Sequence, residues 1–106
     1  MTDEELVLRR FDAEMRLIYD RAAAEASYYA TRFLQMLSER GGLATARHLL
    51  QGPPSDGLGR LALDGRLDLA VESLVQRPEF RHLFTDAELR TAVDRVGDRS
   101  ADPAGS

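Results

Sequence analysis

Residues 41–75 read GGLATARHLLQGPPSDGLGRLALDGRLDLAVESLV, and the order of helix stops and starts in them makes the chain a helical bundle. Leu43, Ala46, Leu49 and Leu50 fall at spacings of three and four, the period of a helix with one apolar face. Gly52-Pro53-Pro54 halts that helix, because proline cannot donate to the ladder and disfavours helix in the residue before it. Ser55 and Asp56 then offer side-chain oxygens to the orphan N–H groups of a two-turn helix carrying Leu58, Leu61 and Leu63. Gly65 closes it. RLDLAVESLV follows as a further helix with Leu67, Val71, Leu74 and Val75 inward, and Arg77-Pro78 stops it. No run in the chain shows the alternation of a half-buried strand, and there is no repeat at solenoid spacing.

Upstream, Thr2 and Glu5 have the spacing of a capping box. Helical pattern then runs unbroken through residues 3–40. Phe11, Met15, Ile18, Ala22, Ala26, Tyr29, Phe33 and Met36 or Leu37 trace one apolar stripe that Gly41 ends. A straight helix of that length would measure about 57 Å, against a diameter of roughly 35 Å for a compact domain of this size. It therefore bends or projects toward a partner. Ser27, able to hydrogen-bond to the preceding turn, favours a bend within residues 25–29. Downstream, residues 79–83 form a single turn. Thr85 and Glu88 make a second capping box, with Phe84 stapled to Leu89, and Ala92, Val93 and Val96 carry the stripe to Gly97. Residues 98–106, DRSADPAGS, have the composition of a disordered tail. The expectation is an all-α single domain over residues 1–97, a compact bundle of about five helices with the first long and bent, followed by that tail.

The composition closes several routes to chemistry. All 14 basic residues are arginine, so no lysine is present for a Schiff base, a general base or a phosphate loop. With no cysteine, thiol nucleophiles, disulfides and thiolate metal sites are absent too. The net charge of −4 opposes a nucleic-acid binder that works by neutralising phosphates. The acidic start MTDEEL is unlike a signal peptide, and no apolar run approaches the ~20 residues of a membrane span. A cytoplasmic protein with no membrane contact is expected.

A set of motifs spread over residues 28–96 resembles a small all-helical bacterial family of unknown function, found alone or as a C-terminal appendage to larger proteins. The motifs are FLQML at 33–37, GG-L-x-x-A-x-x-LL, SDG at 55–57, GRLDLAVESLV at 65–75 and LFTDAEL at 83–89. The chain departs from the family pattern at Leu58, where phenylalanine is common, and at Ala70, where threonine is common. The resemblance implies a helical fold and no catalytic residues.

The acidic residues Asp56, Asp64, Asp68 and Glu72 do not make a calcium loop. With Gly65 at loop position 6, Arg60 and Val71 occupy the first and last ligand positions; with Gly57 there, Gly52 and Leu63 do. His48 and His82 are the only imidazoles, and neither has a histidine or carboxylate partner in the spacing of a zinc site. No serine stands in a nucleophile elbow. Asp68 and Glu72, one turn apart, are the one paired-carboxylate candidate, and Arg66 beside them neutralises it. Neither a metal nor a cofactor is expected.

There remains a polar set, Arg32, Asp56, Arg60, Arg66, Asp68 and Glu72, where the bent first helix meets the SDG and GRLD turns. Its functional form is a pocket for an anion or a partner's carboxylate. Its structural form is two aspartates capping helices with Arg66 bridging them. Tyr28 and Tyr29, about 100° apart on a helix, leave one less buried than the other; core packing of both edges is the first reading, and the second is an exposed tyrosine beside Arg32, which suits a protein interface. These eight residues are the candidate partner-binding set. The expected function is a non-enzymatic interaction module, an accessory or regulatory subunit, with self-association through the N-terminal half of the long helix as its simplest form. The alternative is nucleic-acid association through Arg40, Arg47 and Arg60, which the net charge disfavours. The short helices on either side of Gly52 offer a helix-turn-helix only Arg60 as a reading side chain.

Overall fold

The computed structural model describes residues 2–99, and every regular element in them is helical. They are α1 (Asp3–Ala26), α2 (Thr31–Arg40), α3 (Gly42–Gln51), α4 (Asp56–Leu63), a 3₁₀ turn (Leu67–Leu69), α5 (Val71–Leu74), a second 3₁₀ turn (Arg81–Leu83) and α6 (Asp86–Val96). Thr2 caps α1 by accepting from the Glu5 N–H. At α6 the capping box is complete: Thr85 accepts from the Glu88 N–H, and the Glu88 carboxylate accepts from the Thr85 N–H.

Phe11, Met15, Ile18 and Ala22 form the buried stripe of α1. Phe11, Met15 and Ile18 pack with Ala46 and Leu50 of α3, Val71 and Leu74 of α5, Val75, Phe80, Phe84 and Ala92 of α6, while Ala22 joins Leu61, Leu69, Ala70 and Val96 in a second cluster. Phe11 sits at the centre, its ring 5.1 Å from that of Phe80 in an edge-on arrangement and 5.6 Å from that of Phe84. Phe80 is 1 % exposed, a core role that the single turn expected at residues 79–83 gave no reason to assign.

The expected bend in the first helix is a complete break. Ser27 takes the left-handed conformation, φ 53° and ψ 32°, and α1 ends there. The Ser27 and Tyr28 N–H groups both donate to the Ala22 carbonyl, so the backbone itself, and not the serine hydroxyl, turns the chain. At 1.5 Å per residue, 24 residues of α1 span about 36 Å. That length fits the molecule's longest extent of 38 Å, which an unbroken helix over residues 3–40 would overrun.

Where α2 ends, Gly41 has φ 83° and α3 begins at once. Gly41 has no side chain to cap α3, and Asp12 of the neighbouring α1 does so: its Oδ1 accepts from the Gly42 N–H at 2.6 Å. A Cβ on Gly42 would meet that oxygen at 2.6 Å and the Asp12 Cα at 3.2 Å. The paired glycines therefore serve two purposes, a left-handed turn and a close approach of α1 to the start of α3.

Other expectations are corrected at the level of single residues. RLDLAVESLV is not one helix: Ala70, with ψ 148°, separates the 3₁₀ turn from the four-residue α5. Leu63, expected inward, is 88 % exposed, because α4 ends at it. Val93 is also exposed, while Ala92 and Val96 of the same helix are buried. Of the expected tail, Asp98 and Arg99 are described, and the Arg99 N–H donates to Oε1 of the buried Gln76. The remainder of that stretch, residues 100–106, lies outside the described residues. No helix among the described residues is long and apolar enough to cross a membrane.

Two substitutions test the joints. Ser27→Gly, which removes the left-handed penalty, is expected to raise stability by about 1 kcal/mol, and Ser27→Val to lower it. Asp12→Ala should cost about 1–2 kcal/mol through the lost cap. Urea melts followed by circular dichroism read all three.

Candidate functional site

The break after α1 places Tyr28, Tyr29 and Ala30 between α1 and α2, on one cavity with residues 53–55 of the loop after α3. Between these segments and the first 3₁₀ turn lies an open cavity of about 600 Å³, a volume in the range of ligand pockets. All three tyrosines of the chain, Tyr19, Tyr28 and Tyr29, stand on its wall, with Phe33, Pro53 and Leu58.

Tyr28 is held by what it touches. A Cβ on Gly57 would lie 2.5 Å from the Tyr28 hydroxyl and 3.1 Å from its ring carbon Cζ, so the glycine of the SDG motif is the seat of this ring. On another side the Arg60 guanidinium stands 5.7 Å from the ring centroid, within cation–π range. Tyr29, by contrast, is 65 % exposed. One tyrosine is packed and the other exposed, but not for the helical reason expected, since both lie in the break between α1 and α2 and not on a helix.

The floor of the cavity is charged. Glu72 on α5 and Arg95 on α6 are both among its lining residues, and they pair at 3.2 Å with side chains 8 % and 12 % exposed. Arg95 also donates to the carbonyls of Leu49 and Gly52, which are C-terminal acceptors of α3 left open by the helix geometry. One guanidinium thus closes the end of α3, neutralises a buried carboxylate and supports the cavity from below. Arg95 is not among the eight residues that the sequence pattern marks as candidates. Its signal was its place between Ala92 and Val96, the two buried positions of the final stripe.

Of the eight candidate residues, Tyr28, Tyr29, Arg32, Asp56 and Glu72 line this one cavity. Arg60 borders it through Tyr28, with its Nε on Asp64 and an NH2 group on the Ala26 carbonyl. Arg66 and Asp68 belong elsewhere. Arg66 bonds both Asp68 oxygens and Glu25 at 2.8 Å, and Arg21 reaches Glu25 and Asp68. This four-residue cluster fastens the end of α1 to the first 3₁₀ turn. The caps differ from those expected: Ser55, not Asp56, caps α4 by accepting from the Leu58 N–H. Asp68 lies within the 3₁₀ turn, and Arg66 bridges it to Glu25, not to Asp56.

The cluster leaves its mark on proton affinities. Hydrogen bonds from Arg21 and then Arg66 hold the Glu25 carboxyl at about 2. Arg66 likewise holds Asp68 below the ordinary aspartate value, and the two carboxylates raise Arg66 in return. On the far side of the molecule burial pushes Glu88 upward, but the Thr85 N–H, Arg47 and Gln51 together outweigh it and keep the group low.

The rest of the polar inventory is occupied or remote. Ser73 donates to the Leu67 carbonyl, Ser38 to that of Leu34, and neither histidine lines the cavity. Among the described residues no three His, Asp or Glu side chains gather as a metal-ligand set. On the arginine face, Arg47 is paired with Glu88 and Arg60 with Asp64, while Arg40 lies 3.4 Å from His48. Comparisons of the chain with family models, with curated proteins and with solved structures found no match.

Arg95→Ala removes one partner of a buried pair and uncovers two carbonyls, so it should cost about 3–5 kcal/mol in a denaturant melt. For the exposed cluster the test is pH. Because folding lowers the affinity of Glu25 for its proton, the stabilisation is complete above its ordinary value of 4.5 and is lost as pH falls toward about 2. In an NMR titration, Arg66→Ala should move the Glu25 midpoint upward from about 2 and make unfolding begin at a higher pH.

Proposed function

We propose that the protein is a non-enzymatic interaction module, an accessory or regulatory subunit of a bacterial complex, that receives its partner at the tyrosine-lined cavity. The supporting observation is how the aromatic side chains are divided. Phe11, Phe80 and Phe84 fill the core, whereas all three tyrosines, together with Phe33, line the open cavity. Tyrosine combines a large contact surface with a hydroxyl that tolerates water, which is why it is enriched where proteins meet. The polar groups nearby do not form a nucleophile with its base: Glu72 is held by Arg95, and Ser55 caps a helix.

A second copy of the chain is the simplest partner, and a second surface supports it. Leu6 and Leu17 on α1 are 47 % and 46 % exposed, and eleven residues bring a helix back to the same face. Light scattering at micromolar concentration is expected to show a dimer weakened by Leu17→Glu if this form holds.

The cavity reading is tested in the native host. A photo-crosslinking side chain in place of Tyr29 is expected to trap a discrete adduct that the same group in place of Arg90, outside the cavity, does not. Identical patterns from the two positions would sink the reading.

A further inference from the structure

The cavity walls are apolar and aromatic, and its four charged lining residues are Arg32, Asp56, Glu72 and Arg95. Two of these cancel, since Glu72 and Arg95 form the buried pair on the floor. Asp56 occupies the first turn of α4, where a carboxylate is stabilised by the positive end of the helix dipole. That leaves Arg32. It lies in the first turn of α2, a position at which a cation is repelled by the helix dipole. It makes no ion pair or hydrogen bond through its side chain among the described residues.

The start of α2 is unfilled in a second respect. Ala30 precedes it and no side chain caps it, and its first turn contains no acidic residue. The Thr31 N–H bonds to the Tyr29 carbonyl and that of Leu34 to the Ala30 carbonyl, so the N–H groups of Arg32 and Phe33 have no acceptor among the described residues. Every other helix of eight or more residues has a side-chain oxygen at its start: Thr2, Ser55, Thr85, and for α3 the distant Asp12. The start of α2 thus brings a guanidinium with no partner among the described residues and two open N–H groups together at the cavity, directly beside Tyr29 and Phe33.

We propose that the cavity takes an acidic, apolar segment of a partner protein, with an aliphatic or aromatic side chain set among the tyrosines and a carboxylate on Arg32 at the start of α2. The charge fits because a carboxylate there meets a guanidinium able to bind it through two parallel hydrogen bonds, together with the favourable end of the helix dipole. The size fits because about 600 Å³ holds one or two large side chains with room for the backbone between them. A polyanion such as nucleic acid fits less well. It needs a field of several cations, and the other arginines at or beside the cavity are already paired, Arg95 with Glu72 and Arg60 with Asp64.

This inference rests on the cavity being a partner site, and one experiment separates the two claims. A display library of random peptides is selected on the full chain, on Arg32→Glu and on Tyr29→Ala. Both residues are exposed, so the variants are expected to fold, and circular dichroism confirms it. The parent should enrich peptides pairing Asp or Glu with Leu, Phe or Trp. These should bind Arg32→Glu about tenfold to a hundredfold more weakly, and the same variant should instead enrich Lys- or Arg-bearing peptides. Peptides that depend on Tyr29 but show no acidic preference, or a selection unchanged by Arg32→Glu, would overturn the inference and leave the partner site standing. Peptides indifferent to both variants, or no enrichment over an unrelated helical protein, would overturn both.

Discussion

Arg95 is the interaction on which the arrangement of the other elements depends. Its guanidinium belongs to the last helix, yet it accepts responsibility for the open end of α3 and for the buried carboxylate of α5. A buried ion pair is often no better than a well-packed apolar pair, because both ions must leave water. Here the guanidinium also satisfies two backbone carbonyls that no helix bond can reach, so its desolvation is offset by bonds in three directions. The result is positional: one guanidinium ties α3, α5 and α6 together, and Arg95 with its partner Glu72 lines the cavity.

The cavity's other wall comes from backbone strain. A left-handed serine at position 27 interrupts an apolar stripe that would otherwise have continued as one rod. The interruption folds α2 back against α1 and α3 and turns Tyr28 and Tyr29 out of the helical pattern. The same few residues therefore solve a packing problem and create a concave surface. Gly57 completes it by leaving room for the Tyr28 ring against the first turn of α4, which gives the SDG motif a steric meaning beyond its cap.

The charged residues sort into those that hold the fold and those the fold leaves free. Arg21, Glu25, Arg66 and Asp68 satisfy one another at the end of α1, and Arg47 with Gln51 satisfies Glu88. Such partly exposed pairs contribute little each, and their value lies in register. Arg32 has no such role, and it stands at the mouth of the aromatic cavity. Charge that a fold leaves uncompensated next to apolar surface is the usual setting of a recognition site.

The sequence alone determined the helical class, the caps at Thr2 and Thr85, the stops at Gly41 and Gly52-Pro53-Pro54, and the buried faces of α1 and α3. All of these are local: a cap lies three residues from what it caps, and an apolar face repeats within four. It also drew Tyr28, Tyr29, Arg32, Asp56, Arg60, Arg66, Asp68 and Glu72 into one candidate set; the structure brings five of them to one cavity and places Arg60, Arg66 and Asp68 outside its lining. Tertiary structure alone decided that the bend is a break, that Leu63 faces water, and that Arg66 pairs with Glu25, 41 positions away. It alone placed Asp12 at the start of α3 and Arg95 at its end, contacts spanning 30 and 43–46 residues. An arginine or aspartate on a helix has the same local propensity whether it meets solvent or a distant carbonyl. Only the packing of the apolar faces brings the two within bonding distance, and that distance is what selects the partner.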